Sequence, residues 1–328
     1  MKKIKLALVG ATGLVGRTAI KVLEEKNLPI DEYIFFASAK SAGSKVELLG
    51  KEYVVQELTE ESFNDHIDYA IFCAGGEVSK KYAPLAASKG TIVIDNSSAF
   101  RMDKDVPLVV PEVNPEDIEK HHGIIANPNC STIQAVVALK PLDDKYKIKR
   151  IIYSTYQAVS GAGQKGIEDL ENTMKGEAPK KWPHPIANNC LPHIDVFLDN
   201  GYTKEEMKMI EETKKILHRD DLKVTATTVR VPVMNSHSES INVEFFNDFV
   251  INELKDSLKN SPGIIVQDEP EKDIYPLATN ATGSDEVYVG RLRRDDTVDF
   301  GINMWVVADN IRKGAASNAI QILEKLLG

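Results

Sequence analysis

The chain has 328 residues, a length at which two domains are expected, and its 42% apolar and 27% charged residues are ordinary for a globular protein. A formal charge of −9 argues against a general nucleic-acid binder, and no apolar run approaches the length of a membrane span. Three cysteines far apart in sequence, Cys73, Cys130 and Cys190, cannot all pair and form no CxxC, so a reducing cytoplasm is the expected setting and no metal is called for.

In chain order, Ile4–Val9 is a strand candidate. The short apolar stretch after its charged start reads as a first strand and not as a signal peptide. Gly10-Ala11-Thr12-Gly13-Leu14-Val15-Gly16 follows as GxxGxxG, ahead of a helix that runs to about Glu25. Glycines there allow a tight turn and let a pyrophosphate approach the helix N-terminus, so residues 10–16 are candidates for dinucleotide binding; the alternative is a purely structural turn. Tyr33–Ala37 is the second strand candidate, and its end should select the cofactor. An NAD site usually offers an acid to the ribose hydroxyls at that point, whereas here Ser38, Lys40 and Ser41 follow, which suits a 2′-phosphate and favours NADP over a merely solvated turn.

Short strands are expected at Val46–Leu48 and Tyr53–Val55, buried runs at Tyr69–Cys73 and Thr91–Asp95, and a helix over Lys80–Lys89. This βαβ rhythm predicts an α/β fold with a doubly wound parallel sheet. Strand-like Ile124–Ala126 then leads to Asn127-Pro128-Asn129-Cys130-Ser131-Thr132, ahead of the apolar helical run 133–139, with Ser131 or Thr132 able to cap its start. A thiol at a helix mouth faces unpaired N–H groups and the positive end of the helix dipole, both of which favour the nucleophilic thiolate. The alternative is a small cysteine that only packs.

Beyond this point the pattern turns β-rich, at Arg150–Thr155, Thr225–Val231, Ser240–Phe246 and Met304–Ala308, with helices at Lys204–Leu217 and Val250–Lys259. An α+β second domain with a largely antiparallel sheet is expected. Residues 174–185, with three prolines, read as an exposed loop, and a final amphipathic helix spans about Arg312 to Leu327.

Taken together, the glycine loop, Ser38–Gly43, Asn96–Arg101, Asn129–Thr132, Ser154–Gly163, Arg230-Val231-Pro232, Ser236-His237-Ser238 and Asp309-Asn310 resemble, in order along nearly the whole chain, the aspartate-semialdehyde dehydrogenase family. The resemblance implies an NADP-binding domain over 1–130 and 312–328 and a catalytic and dimerisation domain over 131–311. It implies reversible NADPH-dependent reductive dephosphorylation of aspartyl phosphate to aspartate semialdehyde, a step toward lysine, threonine, methionine and diaminopimelate, in a cytoplasmic homodimer that binds neither nucleic acid nor membrane. Cys130 would carry the acyl group as a thioester that inorganic phosphate cleaves in the oxidative direction.

His237, in a polar loop at a strand start, would be the acid–base group, since an unperturbed imidazole titrates near neutrality. By the same resemblance Gln157 positions substrate, Arg230 grips its carboxylate, and Arg101, Asn129 and Lys215 hold phosphate, with Lys214 a neighbouring alternative to Lys215. Glu212, three residues before Lys215, would take the ammonium; its plain reading is a helix salt bridge. Ser160, Gly161 and Asn310 would lie by the nicotinamide, although Asn310 can also cap the last helix. Competing readings are an N-acetylglutamyl-phosphate reductase, a hydrolase built on Cys130 and His237, and a non-catalytic NADPH-binding regulator.

Overall fold

The computed structural model describes residues 3–328, which form two compact units, 3–129 with 315–328, and Cys130–Gly314. Among the described residues no helix is long and apolar enough to cross a membrane.

In the first unit, β1 (Lys5–Val9) is followed by α1 (Leu14–Lys26), β2 (Glu32–Ala37), a hairpin of β3 (Lys45–Leu48) and β4 (Lys51–Val54), β5 (Gln56–Glu57), β6 (Tyr69–Phe72), α2 (Gly76–Ser88), β7 (Ile92–Asp95) and β8 (Ile124–Ala126). Six of these strands make one sheet in the order β5-β2-β1-β6-β7-β8, with every pair parallel. Such a sheet must be apolar on both faces. Accordingly Leu6 and Leu8 pack with α1 and the C-terminal helix Ser317–Leu327, while the alternating Ala7 and Val9 pack on the other side with Ala83 and Ala86 of α2. Strand order reverses between β1 and β6, the place where ligands bind in such sheets, and the glycine loop sits at the end of β1.

Two glycines there are sterically required. Gly10 has φ +85, and a Cβ on it would lie 2.8 Å from the Cys73 carbonyl oxygen; one on Gly16 would lie 2.2 Å from the Gly10 carbonyl oxygen. Gly13 is the N-cap of α1 and supplies no side-chain bond, so the first amides of that helix are left to an external acceptor.

The second unit holds α3 (Cys130–Tyr146), β9 (Ile148–Gln157), α4 (Gln164–Met174), α5 (Lys204–Leu217), β10 (Lys223–Arg230), β11 (His237–Phe245), α6 (Ile251–Lys259), β12 (Ile264–Val266), α7 (Ala278–Ala281), β13 (Val287–Asp295) and β14 (Gly301–Ala308). Its sheet runs β10-β9-β11-β14-β13-β12. The three inner pairs are antiparallel and the two outer ones parallel, so the sheet is mixed where a largely antiparallel one was expected. Helices α3 and α5 cover one face, α3 crossing β9, β11, β13 and β14 and α5 lying on β10. Helix α4 and strands β12 and β13 were not foreseen from the sequence.

Candidate active site

Helix α3 begins at Cys130 itself, so Ser131 and Thr132 are buried in its first turn and are not caps. The thiol therefore sits on the first helical residue, where amides have no intrahelical acceptor. Gly314 lies against it: a Cβ there would come within 2.7 Å of the Cys130 Cβ. Gly314 is placed by a turn of π-helix, Arg312–Ala316, in which its N–H reaches the Asp309 carbonyl at 3.0 Å. Asp309, not Asn310, caps this segment, its Oδ1 accepting from the Ile311 and Arg312 amides at 2.8 and 2.9 Å.

Asn310 instead ties two loops together. Its Oδ1 accepts from the Ser236 amide at 2.9 Å and its Nδ2 donates to Ser160 Oγ at 3.1 Å. Those contacts hold the residues next to His237 and Gly161. Ser236 has φ +71, a conformation unusual for serine.

His237 is the first residue of β11 and fully buried, not exposed in a polar loop. Its Nδ1 lies 3.0 Å from the Ala158 amide nitrogen, which donates to it, and Nε2 has no partner. Arg230 ends β10 and is also buried; its Nη1 donates to the Ala158 carbonyl at 2.7 Å. Both side chains converge under Gly161, where a Cβ would lie 2.9 Å from Arg230 Nη1 and 3.2 Å from His237 Nε2. Burial, then the Arg230 charge, pull the His237 basicity down to about 3, against a weaker opposing pull from Glu205. Burial lowers that of Arg230 as well, opposed by the charges of Glu205 and Cys130.

Gln157 ends β9, and its amide orientation is fixed, with Oε1 accepting from Thr155 Oγ1 and Nε2 donating to Glu205 Oε1, both at 3.1 Å. Glu205 was missed in the sequence. It is buried near the start of α5, and its Oε2 accepts from Lys208 Nζ at 2.9 Å, while Lys208 also reaches Asp195 at 2.8 Å. Glu212 and Lys215 occupy the same helix seven residues further on, about 10 Å along its axis. At that level Thr213 bonds Tyr153, which lies four residues, about 13 Å, before Gln157 on β9. Across this contact Gln157 bonds Glu205, the Glu205 charge acts on Arg230, and Lys208 bonds Glu205, while Glu212 and Lys215 lie two turns further along the helix.

In the first unit, Asp95 at the end of β7 accepts from Ser79 Oγ, Ser97 Oγ and the Ser97 amide, fixing the loop that carries Arg101. Arg101 is buried and donates from Nε to the Asn127 carbonyl and from Nη2 to that of Asn96, each at 2.9 Å. Asn129 is buried just ahead of Cys130. Beyond β2, the Ser41 and Ala42 amides turn back to the Ser38 carbonyl, and Ser38 and Lys40 are exposed.

With this geometry in place, comparison with known proteins is direct. Residues 5–121 match the family described as semialdehyde dehydrogenase, NAD binding domain, and residues 139–313 its dimerisation domain. The chain belongs to the semialdehyde dehydrogenase family. It is 58% identical to the aspartate-semialdehyde dehydrogenase of Aquifex aeolicus over 98% of both chains. It is 46% identical to aspartate semialdehyde dehydrogenase II of Vibrio cholerae in its complex with ASA, with a TM-score of 0.95 over 100% and 99% of the two chains. A more distant structure, the Candida albicans enzyme with NADP, aligns at 29% identity and a TM-score of 0.80 over 99% and 98%. The chain is thus an oxidoreductase with a nicotinamide-dinucleotide-binding domain.

Proposed function

We propose that the protein is an NADPH-dependent aspartate-semialdehyde dehydrogenase that reduces 4-phospho-L-aspartate to L-aspartate 4-semialdehyde, reversibly, through a thioester on Cys130. The observation that carries this reading is one cluster in the second unit: a thiol on the first residue of a helix, electrostatically linked to a buried arginine, with a buried glutamate beside it. An amino-acid substrate has a carboxylate and an ammonium to satisfy, and a guanidinium fork and a carboxylate are their complements. Arg230 takes the carboxylate and Glu205 the ammonium, with Gln157 holding Glu205 in place. By the resemblance, Arg101 and Asn129 serve the phosphate.

The glycine loop fits a dinucleotide, because Gly10 and Gly16 let the turn close tightly on its own backbone and the α1 amides that follow have no side-chain cap. Ser38, Lys40 and Ser41, with no acid among them, favour the 2′-phosphate of NADP. When bound, the nicotinamide supplies or accepts the hydride. The chain's own part is to attack, orient and stabilise: Cys130 forms and releases the acyl bond, Arg230 and Glu205 fix the substrate, and His237 Nε2 faces the acyl oxygen. The sheet face opposite α3 and α5, where the rings of Tyr156 and Trp305 meet at a tilt with centroids 5.4 Å apart, serves a homodimer.

The deciding assay follows NADP reduction with aspartate semialdehyde, with and without phosphate, for the wild type and Cys130→Ser. Turnover should require phosphate and fall at least about 10³-fold in the variant. Reduction of N-acetylglutamyl phosphate in preference to aspartyl phosphate, or NADPH binding without turnover on either, would overturn the assignment.

A further inference from the structure

We propose that Asp195, in the loop ahead of α5, is a positioning residue that makes the site selective for an ammonium-bearing substrate: it takes up the charge of Lys208 and so leaves that of Glu205 to the substrate. This rests on the role of Glu205 proposed above.

The loop and the helix are built as one piece. Helix α5 opens with a capping box, in which Thr203 Oγ1 accepts from the Glu206 amide at 3.3 Å and Glu206 Oε2 from the Thr203 amide at 2.7 Å. The other Glu206 oxygen accepts from the Thr228 amide of β10 at 3.1 Å, which fixes this first turn on the sheet. The Asp195 loop is tied to the same turn, since the Lys204 amide donates to the Val196 carbonyl at 2.8 Å. Asp195 has φ +67, and its Oδ1 accepts from the Val196 amide at 2.9 Å. That turn aims Oδ2 at Lys208 Nζ, 2.8 Å away. Lys208 lies one turn after Glu205 on the same helix face and donates to it at 2.9 Å, so a single ammonium is shared by two carboxylates.

The charges then decide what the cluster can bind. Burial works against the Asp195 carboxylate, but the bond to Lys208 and its charge prevail, and the carboxyl sits below its usual range. Burial works against the Lys208 ammonium too, and the charges of Glu205 and Asp195 more than restore it. Two carboxylates facing one lysine leave one negative charge over, and Arg230 adds one positive charge that Glu205 also feels. An amino acid with its carboxylate on Arg230 and its ammonium on Glu205 matches that balance. With Asp195 neutral, Lys208 would spend its whole charge on Glu205, and the arriving ammonium would meet a carboxylate already offset by Lys208 and Arg230. Selectivity of this kind comes from removing a competing cation as much as from supplying a partner. The side chains of Glu205, Lys208 and Asp195 are 6%, 18% and 32% exposed, so Asp195 closes the line at its solvent end and its effect is partly screened.

Steady-state kinetics of the full-length protein at saturating NADP and phosphate test this, with aspartate semialdehyde and with succinate semialdehyde, which lacks only the amino group. Asp195→Asn removes the charge, keeps the acceptor for the Val196 amide and tolerates positive φ; Asp195→Gly repeats the loss of charge should the asparagine variant not fold. The KM for aspartate semialdehyde should rise about fivefold with kcat little changed. The KM for succinate semialdehyde, or its inhibition constant against aspartate semialdehyde where it is not turned over, should change less than about twofold. An equal rise for both compounds, or no rise for aspartate semialdehyde, would overturn the proposal. A second arm needs no analogue: in a Lys208→Gln background the same Asp195→Asn change should raise KM by a smaller factor, because the charge it offsets is gone. A rise as large as in the wild type would also overturn the proposal. Absence of wild-type turnover would count against the reaction, whereas wild-type turnover with an indifferent variant counts against Asp195.

Discussion

Glu205 and Glu212 carry the same local signature, each three residues before a lysine on one helix and seven residues apart. Seven residues are two turns, so both pairs lie on the same face, and periodicity alone cannot choose between them. Register against β9 chooses: Gln157 bonds Glu205, while Tyr153 bonds Thr213. Glu205→Gln should therefore lower kcat/KM by about 10²-fold, mainly through KM, as expected for losing a charged partner of the ammonium. Glu212→Gln should stay within a few-fold. The reverse ranking in steady-state kinetics would restore the original assignment. Cys130 could be singled out from the apolar helical run that follows it, whereas Gln157 and Arg230 were singled out by the family resemblance. The burial of His237 was not legible, because Asn235-Ser236-His237-Ser238-Glu239 contains no apolar residue, and its burial comes from helices far away in sequence.

Strand β11 and helix α3 show how two elements are held in step. Side chains of a strand alternate, so His237, Glu239 and Ile241 share the buried, helix-covered face. Gln134, one turn after Cys130, donates to the carbonyls of His237 at 3.3 Å and Val306 at 3.5 Å, fastening the thiol's helix to the imidazole's strand. Glu239 pairs across to Val306, and neither of its side-chain oxygens has a partner. Desolvation raises its folded-state pKa, so the folded protein keeps a proton that the unfolded chain loses above about pH 4.3. Stability then falls as pH rises from there toward the raised value. Glu239→Gln removes that dependence and should raise Tm by roughly a few degrees at pH 8, with the gain vanishing near pH 4 in calorimetry. An equal Tm shift at all pH values would contradict a neutral carboxyl. Helix α4 escaped the sequence reading for a related reason: its buried side is Gly166, Asp169, Leu170 and Thr173, and a Cβ on Gly166 would lie 2.3 Å from the Val159 carbonyl oxygen. Close packing there demands small residues and erases the apolar stripe by which helices are recognised.

At the scale of the whole molecule, the parallel sheet was legible because strands buried on both faces read as continuous apolar runs. The mixed sheet was harder, since its second face is neither core nor plain solvent surface. Tyr156 and Trp305 lie there, and a cavity of about 400 Å³ opens beside them, lined by Ser240, Met304, Tyr275 and Arg293 among others. If this is the homodimer face, Trp305→Glu should shift the sedimenting species from dimer to monomer at micromolar concentration, with the fold retained by circular dichroism. An unchanged dimer would move the interface elsewhere. The cysteines set how the site can be counted. Desolvation, then Asp95, push the Cys73 thiol up to about 12 although part of the residue reaches solvent, so it is a poor competitor for an electrophile near neutral pH. Cys190 is exposed and belongs to no bonded network of the site. With Cys130 as the nucleophile proposed above, adduct masses on the native chain should resolve into one thiol indifferent to substrate and one shielded by it, so that working sites can be titrated without altering a single residue.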